Sequence, residues 1–252
     1  MKKQESILVL AIVTAFVFTV VFLPGLLRAG DLEPTGPPGP TMHTLDEIYN
    51  RLDQLVPDDC GVPAPVEKTG QTTSYATGDD GDLEKGVAWP NPRFTDNGND
   101  TVTDNLTGLM WLKHANCIAA QYPDFDNDET IGASGDGGVT WQHATDFIAG
   151  INEETYPDCG AGYTDWRVPN MRELASLIHY GVWDPTLPNT AGTGQWSEGD
   201  PFTLVMPIHY RWSSTMNSSA TGLVWGVYMH SGFVSTEPNF DLHYVWPVRD
   251  GN

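Results

Sequence analysis

Three aspartates spaced two apart, Asp124, Asp126 and Asp128 in the run YPDFDNDE, are the residues whose spacing comes nearest to ion-binding chemistry. A hard cation such as calcium takes several carboxylate oxygens at short range, and alternating acidic residues in a loop supply them. An EF-hand loop wants Gly at its sixth position and Glu at its twelfth, where this chain has Glu129 and Gly135. The pattern is incomplete, so a solvated acidic loop is the plainer reading. Calcium is the one cofactor the residues put forward, with Asp136 as a further ligand on offer.

A second chemistry is stacking. Trp183, Trp196, Trp212, Trp225, Tyr210 and Tyr228 offer flat apolar faces with polar edges, suited to sugar rings or to aromatic groups of a partner. Most such residues go to the core and about a third reach the surface. Tyr210, Trp212, Trp225 and Tyr228, in the C-terminal β region, are the expected ligand-contacting set. Arg167 and Arg172, near Asp165 and Glu173, have the groups for a carboxylate clamp, but an internal ion pair fixing the loop before a helix is the expected use. The seven histidines show no HExxH or other tight metal spacing, and no Ser sits in G-x-S-x-G. No enzyme is expected.

These residues must be held by elements on the far side of a membrane. Lys2 and Lys3 precede an uncharged run from Ile7 to Leu23, the layout of an export segment, with the lysines kept cytoplasmic. Residues 1–30 are a cleaved signal peptide or a membrane anchor, both readings standing, and this is the chain's one expected contact with a membrane. Residues 31–65 form a stem: the Pro/Gly linker DLEPTGPPGP, then a helix from Thr44 to Leu55 with Leu45, Ile48, Leu52 and Leu55 at 3-4-3 spacing. That stripe either pairs chains into a dimer or trimer or docks onto its own domain. Residues 66–92 are a polar lead-in.

The main domain spans 93–252. Arg93 to Thr95, Thr101 to Asp104 and Leu109 to Leu112 read as a meander separated by Asn/Gly turns. One helix starts at Thr140 with Trp141, Ala144, Ile148 and Ile151 on its inner face, and another at Asn170 with Met171, Leu174, Leu177 and Ile178. Asn170 and Glu173 form a capping pair, and Gly181 is the expected left-handed cap. Tyr210 to Ser214, Leu223 to Met229, Phe233 to Ser235 and Tyr244 to Val248 return to β, with His230-Ser231-Gly232 as a hairpin turn. Along the second of these, Leu223, Trp225, Val227 and Met229 should share one face, and Val224 and Tyr228 the other. Strands, helices, then strands give an α+β fold.

Exported chains oxidise their thiols, so Cys117 after the meander and Cys159 between the helices are the natural disulfide, closing a loop of about 40 residues with roughly 3 to 4 kcal/mol of stabilisation. Cys60, just after the stem, either bridges two chains or stays free. With 33 acidic and 12 basic side chains, the chain's field repels nucleic acid, anionic headgroups and sulfated polysaccharides. Neutral or cationic partners fit it better.

Five blocks resemble, in order, one known family: Thr101 to Cys117 (TVTDNLTGLMWLKHANC), Thr140 to Ile148 (TWQHATDFI), Cys159 to Leu174 (CGAGYTDWRVPNMREL), Arg211 to Thr215 (RWSST) and Val245 to Arg249 (VWPVR). It is the bacterial domain family typified by the C-terminal domain of the Legionella collagen-like adhesin, and the resemblance covers about Phe94 to Arg249. That family is distantly similar to C-type-lectin-like and formylglycine-generating folds, whose W-R-L-P element corresponds to Trp166-Arg167-Val168-Pro169. The resemblance implies a compact C-type-lectin-like domain, two helices packed on short antiparallel strands. The adhesin's sulfated glycosaminoglycan ligand does not carry over, because this chain lacks a long collagen tract and is strongly acidic. The expectation is an extracytoplasmic binding or adhesion module, displayed as a homo-oligomer and recognising a glycan or protein surface. The alternatives are a self-assembling surface subunit and, more weakly, a formylglycine-generating type of enzyme, which needs a free active-site thiol.

Overall fold

The computed structural model describes residues 66–125 and 135–251. The expected export segment at 1–30, the stem with Cys60 at 31–65, and Asp126 and Asp128 lie outside the described residues. In chain order the elements are α1 (Asp80–Leu83), β1 (Phe94–Asp96), β2 (Thr101–Asp104), β3 (Leu109–Leu112), α2 (Cys117–Gln121), α3 (Trp141–Asn152) and α4 (Met171–Ser176). They are followed by β4 (Tyr210–Met216), β5 (Leu223–Tyr228), β6 (Phe233–Pro238) and β7 (Val248–Asp250). The class is α+β, with two antiparallel sheets ordered β1-β2-β3-β7 and β4-β5-β6.

The meander forms where its turn residues put it. Gly98 (φ 73°) and Gly108 (φ 74°) sit in the left-handed region that glycine enters without strain, one closing on the Asp96 side chain and the other on the Asp104 carbonyl. Between them the register pairs Val102 with Trp111, both buried, so this sheet presents its apolar face inward. One core cluster gathers Phe94, Trp111, Leu174, Phe202 and Trp246, with the Phe202 ring 5.0 Å from Phe94 and 4.8 Å from Trp246. A second gathers Ile118, Phe147, Ile151, Trp166 and Trp212 around the Cys117–Cys159 disulfide, whose Cα atoms are 5.9 Å apart. Each such aromatic contributes on the order of 1.5 to 3 kcal/mol by leaving water.

Both helices start at the expected caps. The Thr140 hydroxyl accepts from the His143 amide, and α3 buries Ala144, Ile148 and Ile151 together with Phe147. Asn170 Oδ1 accepts from the Glu173 amide at 3.0 Å while Glu173 Oε2 accepts from the Asn170 amide at 2.7 Å, closing a full capping box. The end of α4 differs from expectation. The helix stops at Ser176 and Leu177 caps it in ordinary αR geometry, so Gly181 is not its left-handed cap. The cause is tertiary pairing: the His179 amide donates to Thr186 and the Tyr180 amide to Thr69, which pulls the chain out of the helix. Gly181 serves close approach instead, since a Cβ there would stand 2.7 Å from the Gly70 carbonyl oxygen.

The last expected strand also differs. Only Val248–Asp250 joins a ladder, against β3. Tyr244 instead bridges Arg211 of the other sheet, with the Trp212 amide donating to the Tyr244 carbonyl at 2.9 Å, and Pro247 brings no N–H to continue a ladder. Tyr244 to Pro247 thus crosses from one sheet to the other.

Candidate functional site

The register of the second sheet sorts its aromatics. Tyr210 of β4 pairs with Tyr228 of β5, and Tyr228 pairs with Phe233 of β6, so the three form a row across one face. The Tyr210 and Tyr228 rings are 5.1 Å apart at 35°. Gly226, next along that face, makes room: a Cβ there would lie 3.3 Å from Tyr210 Cδ1. Beyond the β5–β6 turn, His230 stacks on Tyr228 at 5.5 Å and 25°, and Trp183 meets His230 edge-on at 5.1 Å. Phe233 is 60% exposed and Trp183 65% exposed, so the row opens to solvent.

The expected ligand-contacting set is therefore only partly brought together. Tyr210 and Tyr228 lie side by side, half-buried, on the open part of the face. Trp212 shares their face but is fully buried: its indole N–H donates to the Val139 carbonyl at 2.8 Å, and the His243 ring covers it at 4.7 Å. It is a core residue. Trp225 sits at odd register with Val227, hence on the opposite face, as the alternation anticipated. Leu223 and Trp225 are only part-buried there, while Val227 and Met229 are fully so. The structure adds Phe233, His230 and Trp183 to the row. Phe233 and His230 become legible only when the turn fixes which residue of β6 stands opposite Tyr228.

Electrostatics at this face keep its phenol protonated. Burial, then the nearby Glu237 carboxylate, push the Tyr210 phenol upward, so its hydroxyl stays a donor across the ordinary pH range. Asp184 Oδ1 lies 3.6 Å from His230 Nε2 at the rim. Behind the row, burial and the neighbouring His209 bring His243 down to about 4, leaving a neutral imidazole.

The other sequence candidates fall elsewhere. Asp124 is exposed, at a 3-10 turn spanning Pro123–Phe125. Asp136 accepts from the Gly138 amide at 2.8 Å. Arg167 is an internal ion pair, as expected: it holds Glu173 through two hydrogen bonds of 2.7 and 2.8 Å and reaches Asp250 at 3.0 Å. The Glu173 bond, first, raises its pKa. Arg172 is exposed, and Asp165 belongs to a different pair, with Arg249, whose hydrogen bonds hold the carboxylate below its usual range. Two open clefts flank α4, one lined by Thr107, Leu109, Arg172 and Ser176, the other by Asn152, Trp166, Arg167 and Glu173. No histidine or cysteine lines either, and Arg167 and Glu173 are engaged with each other.

A comparison with curated proteins found no match. Residues 100–249 match the family model of the Lcl C-terminal domain, more than half of the chain and the span that holds the five blocks, and the chain belongs to that family.

Proposed function

We propose that this is an extracytoplasmic, non-catalytic binding module of the adhesin-associated kind, with a C-type-lectin-like domain that recognises a glycan or protein surface through the Tyr210–Tyr228–Phe233 row. The observation that carries the reading is that row: adjacent strands place three aromatics on one face, extended by His230 and Trp183, and solvent reaches it. Monomeric proteins rarely leave aromatic groups contiguous at the surface without a partner for them. Family membership supports an adhesion role, and the Cys117–Cys159 disulfide supports an oxidising compartment outside the cytoplasm. Both cysteines are buried and bonded to each other, which supports a non-enzymatic reading over thiol chemistry. Display as an oligomer through the stem completes the proposal and would multiply a weak single-site affinity.

The test is an array of neutral and cationic glycans together with immobilised host-surface proteins, probed with the purified full chain, Tyr228→Ala and Trp183→Ala. Wild type should bind a discrete set, and each variant should lose roughly tenfold, the scale of a binding hot spot. Binding that both variants retain in full, or no retained ligand at all, overturns the reading.

A further inference from the structure

We propose that Glu237, Asp241 and His243 form a binding site for a first-row divalent cation of the zinc type. One carboxylate oxygen from each acid and one ring nitrogen of His243 all lie within 4.8 Å of one another. Zinc bound tetrahedrally at its usual bond lengths needs its donors about 3.3 Å apart, so the two half-buried carboxylates and the imidazole must draw in by up to about 1.5 Å to close the site.

The backbone already holds the three positions. Glu237 is registered opposite Val224 in the ladder, the Asp241 amide closes a turn onto the Pro238 carbonyl at 2.9 Å, and His243 exchanges two backbone bonds with Val139, of 3.0 and 2.9 Å. The imidazole is clamped between Tyr210 and Trp212, with ring centroids 5.4 and 4.7 Å away.

A second, independent observation points to a missing partner. Both ring nitrogens of His243 are closed off from solvent, and neither has a hydrogen bond. Buried polar atoms nearly always have a partner, and a metal ion supplies one to a neutral imidazole while two carboxylates balance its charge. The donor set selects the ion: calcium and magnesium prefer all-oxygen shells, whereas imidazole with carboxylate suits zinc and its neighbours. Three protein ligands leave a coordination position for water or an outside oxygen. The acidic loop at Asp124 is a separate feature, and this proposal does not depend on the aromatic row binding any ligand.

The experiment uses the full chain, freed of any affinity tag and of metal by a chelator that is then removed. It is titrated calorimetrically with Zn²⁺ and, separately, with Ca²⁺, and Co²⁺ is used to read the coordination spectrum. Wild type should take up one equivalent of Zn²⁺ at this site and bind Ca²⁺ more weakly. Losing even an outer partner of a ligand lowers metal affinity about 10- to 100-fold, so His243→Ala and Asp241→Asn should each lower zinc affinity at least ~10-fold. Asp241→Asn removes no packed ring, so it keeps the test open if His243→Ala unfolds. Absence of saturable zinc binding, unchanged affinity in Asp241→Asn, or tighter binding of Ca²⁺ than of Zn²⁺ each overturns the proposal.

Discussion

Replacing Asp104 by Asn tests how the frame is held. Asp104 takes two hydrogen bonds from Arg93, at 2.7 and 3.0 Å, and accepts also from the Leu106 amide at 2.9 Å and the Thr107 hydroxyl at 2.8 Å. Both members of the ion pair are fully buried, and the Arg93 Nη2 that binds Asp104 also donates to the Ser176 carbonyl, 2.9 Å away at the end of α4. The pair therefore ties the first sheet to α4. Asp104→Asn is nearly isosteric but leaves the Arg93 charge uncompensated inside the protein. Breaking a buried pair in this way destabilises by about 3 to 5 kcal/mol. For a domain of this size, 1 kcal/mol moves Tm by roughly 2 to 4 °C, so the melting point should fall by about 6 to 20 °C. Urea unfolding of the full chain, followed by tryptophan fluorescence, gives the free energy directly. The double variant Arg93→Leu with Asp104→Leu removes both charges and should cost at least ~2 kcal/mol less than the sum of its single variants. A loss under about 1 kcal/mol for Asp104→Asn, the scale of an exposed pair, or additive single variants, would refute the reasoning.

Two further predictions concern buried basic side chains. Burial, aided by the Arg93 charge, holds His179 below its ordinary 6.5, and its Nδ1 accepts the Gly181 amide at 3.0 Å, which only an unprotonated nitrogen can do. Because the unfolded chain takes up the proton first, this contribution is present above pH 6.5 and is lost as pH falls below it. Urea midpoints should therefore drop between pH 7.5 and 5, with a shallower slope in His179→Gln. Equal slopes would sink that assignment. Asp96 and Asp165, held low first by Lys113 and Arg249 respectively, add their losses only below about pH 4. Arg211 is buried as deeply as Arg93, but none of its guanidinium nitrogens has a hydrogen-bond partner, and burial brings it down to about 9. Its contacts are the Tyr244 and Trp246 rings, 4.9 and 5.9 Å away, so Arg211→Met should change unfolding free energy by no more than ~1 kcal/mol in either direction; a loss above ~3 kcal/mol would contradict it.

What was legible in the sequence was local. The turns at Gly98 and Gly108, the caps at Thr140 and Asn170, and the Leu223 to Met229 alternation depend on residues a few positions apart, and each is found in place. What failed was tertiary. Gly181 looked like a helix cap, but pairing of His179 with Thr186 across the chain ended α4 earlier. Trp212 has the same flat face and polar edge as the accessible aromatics of its region, and nothing local reveals that the Val139–His243 bridge covers it. Glu237, Asp241 and His243 match no HExxH motif in the sequence. Here a turn at Pro238–Asp241 brings the three donors together.

The crossing from Asn239 to Arg249 explains why the aromatic row is open at one end. The segment starts at the end of β6, where the Asn239 amide donates to the Gly222 carbonyl, and passes over Trp212 through the His243 bridge. It then places Trp246 in the first core and locks into β3 through Val248. Arg249 fixes its end, with Asp165 on one side and the Tyr163 ring 4.0 Å below. A chain held at both ends in this way covers the Trp212 end of the sheet face and leaves Phe233 open to solvent at the other. That exposure is thus set by the same connection that joins the two sheets. A deletion that shortened this segment would disturb the core before it disturbed the row, whereas Tyr228 and Phe233 can be changed with the frame intact.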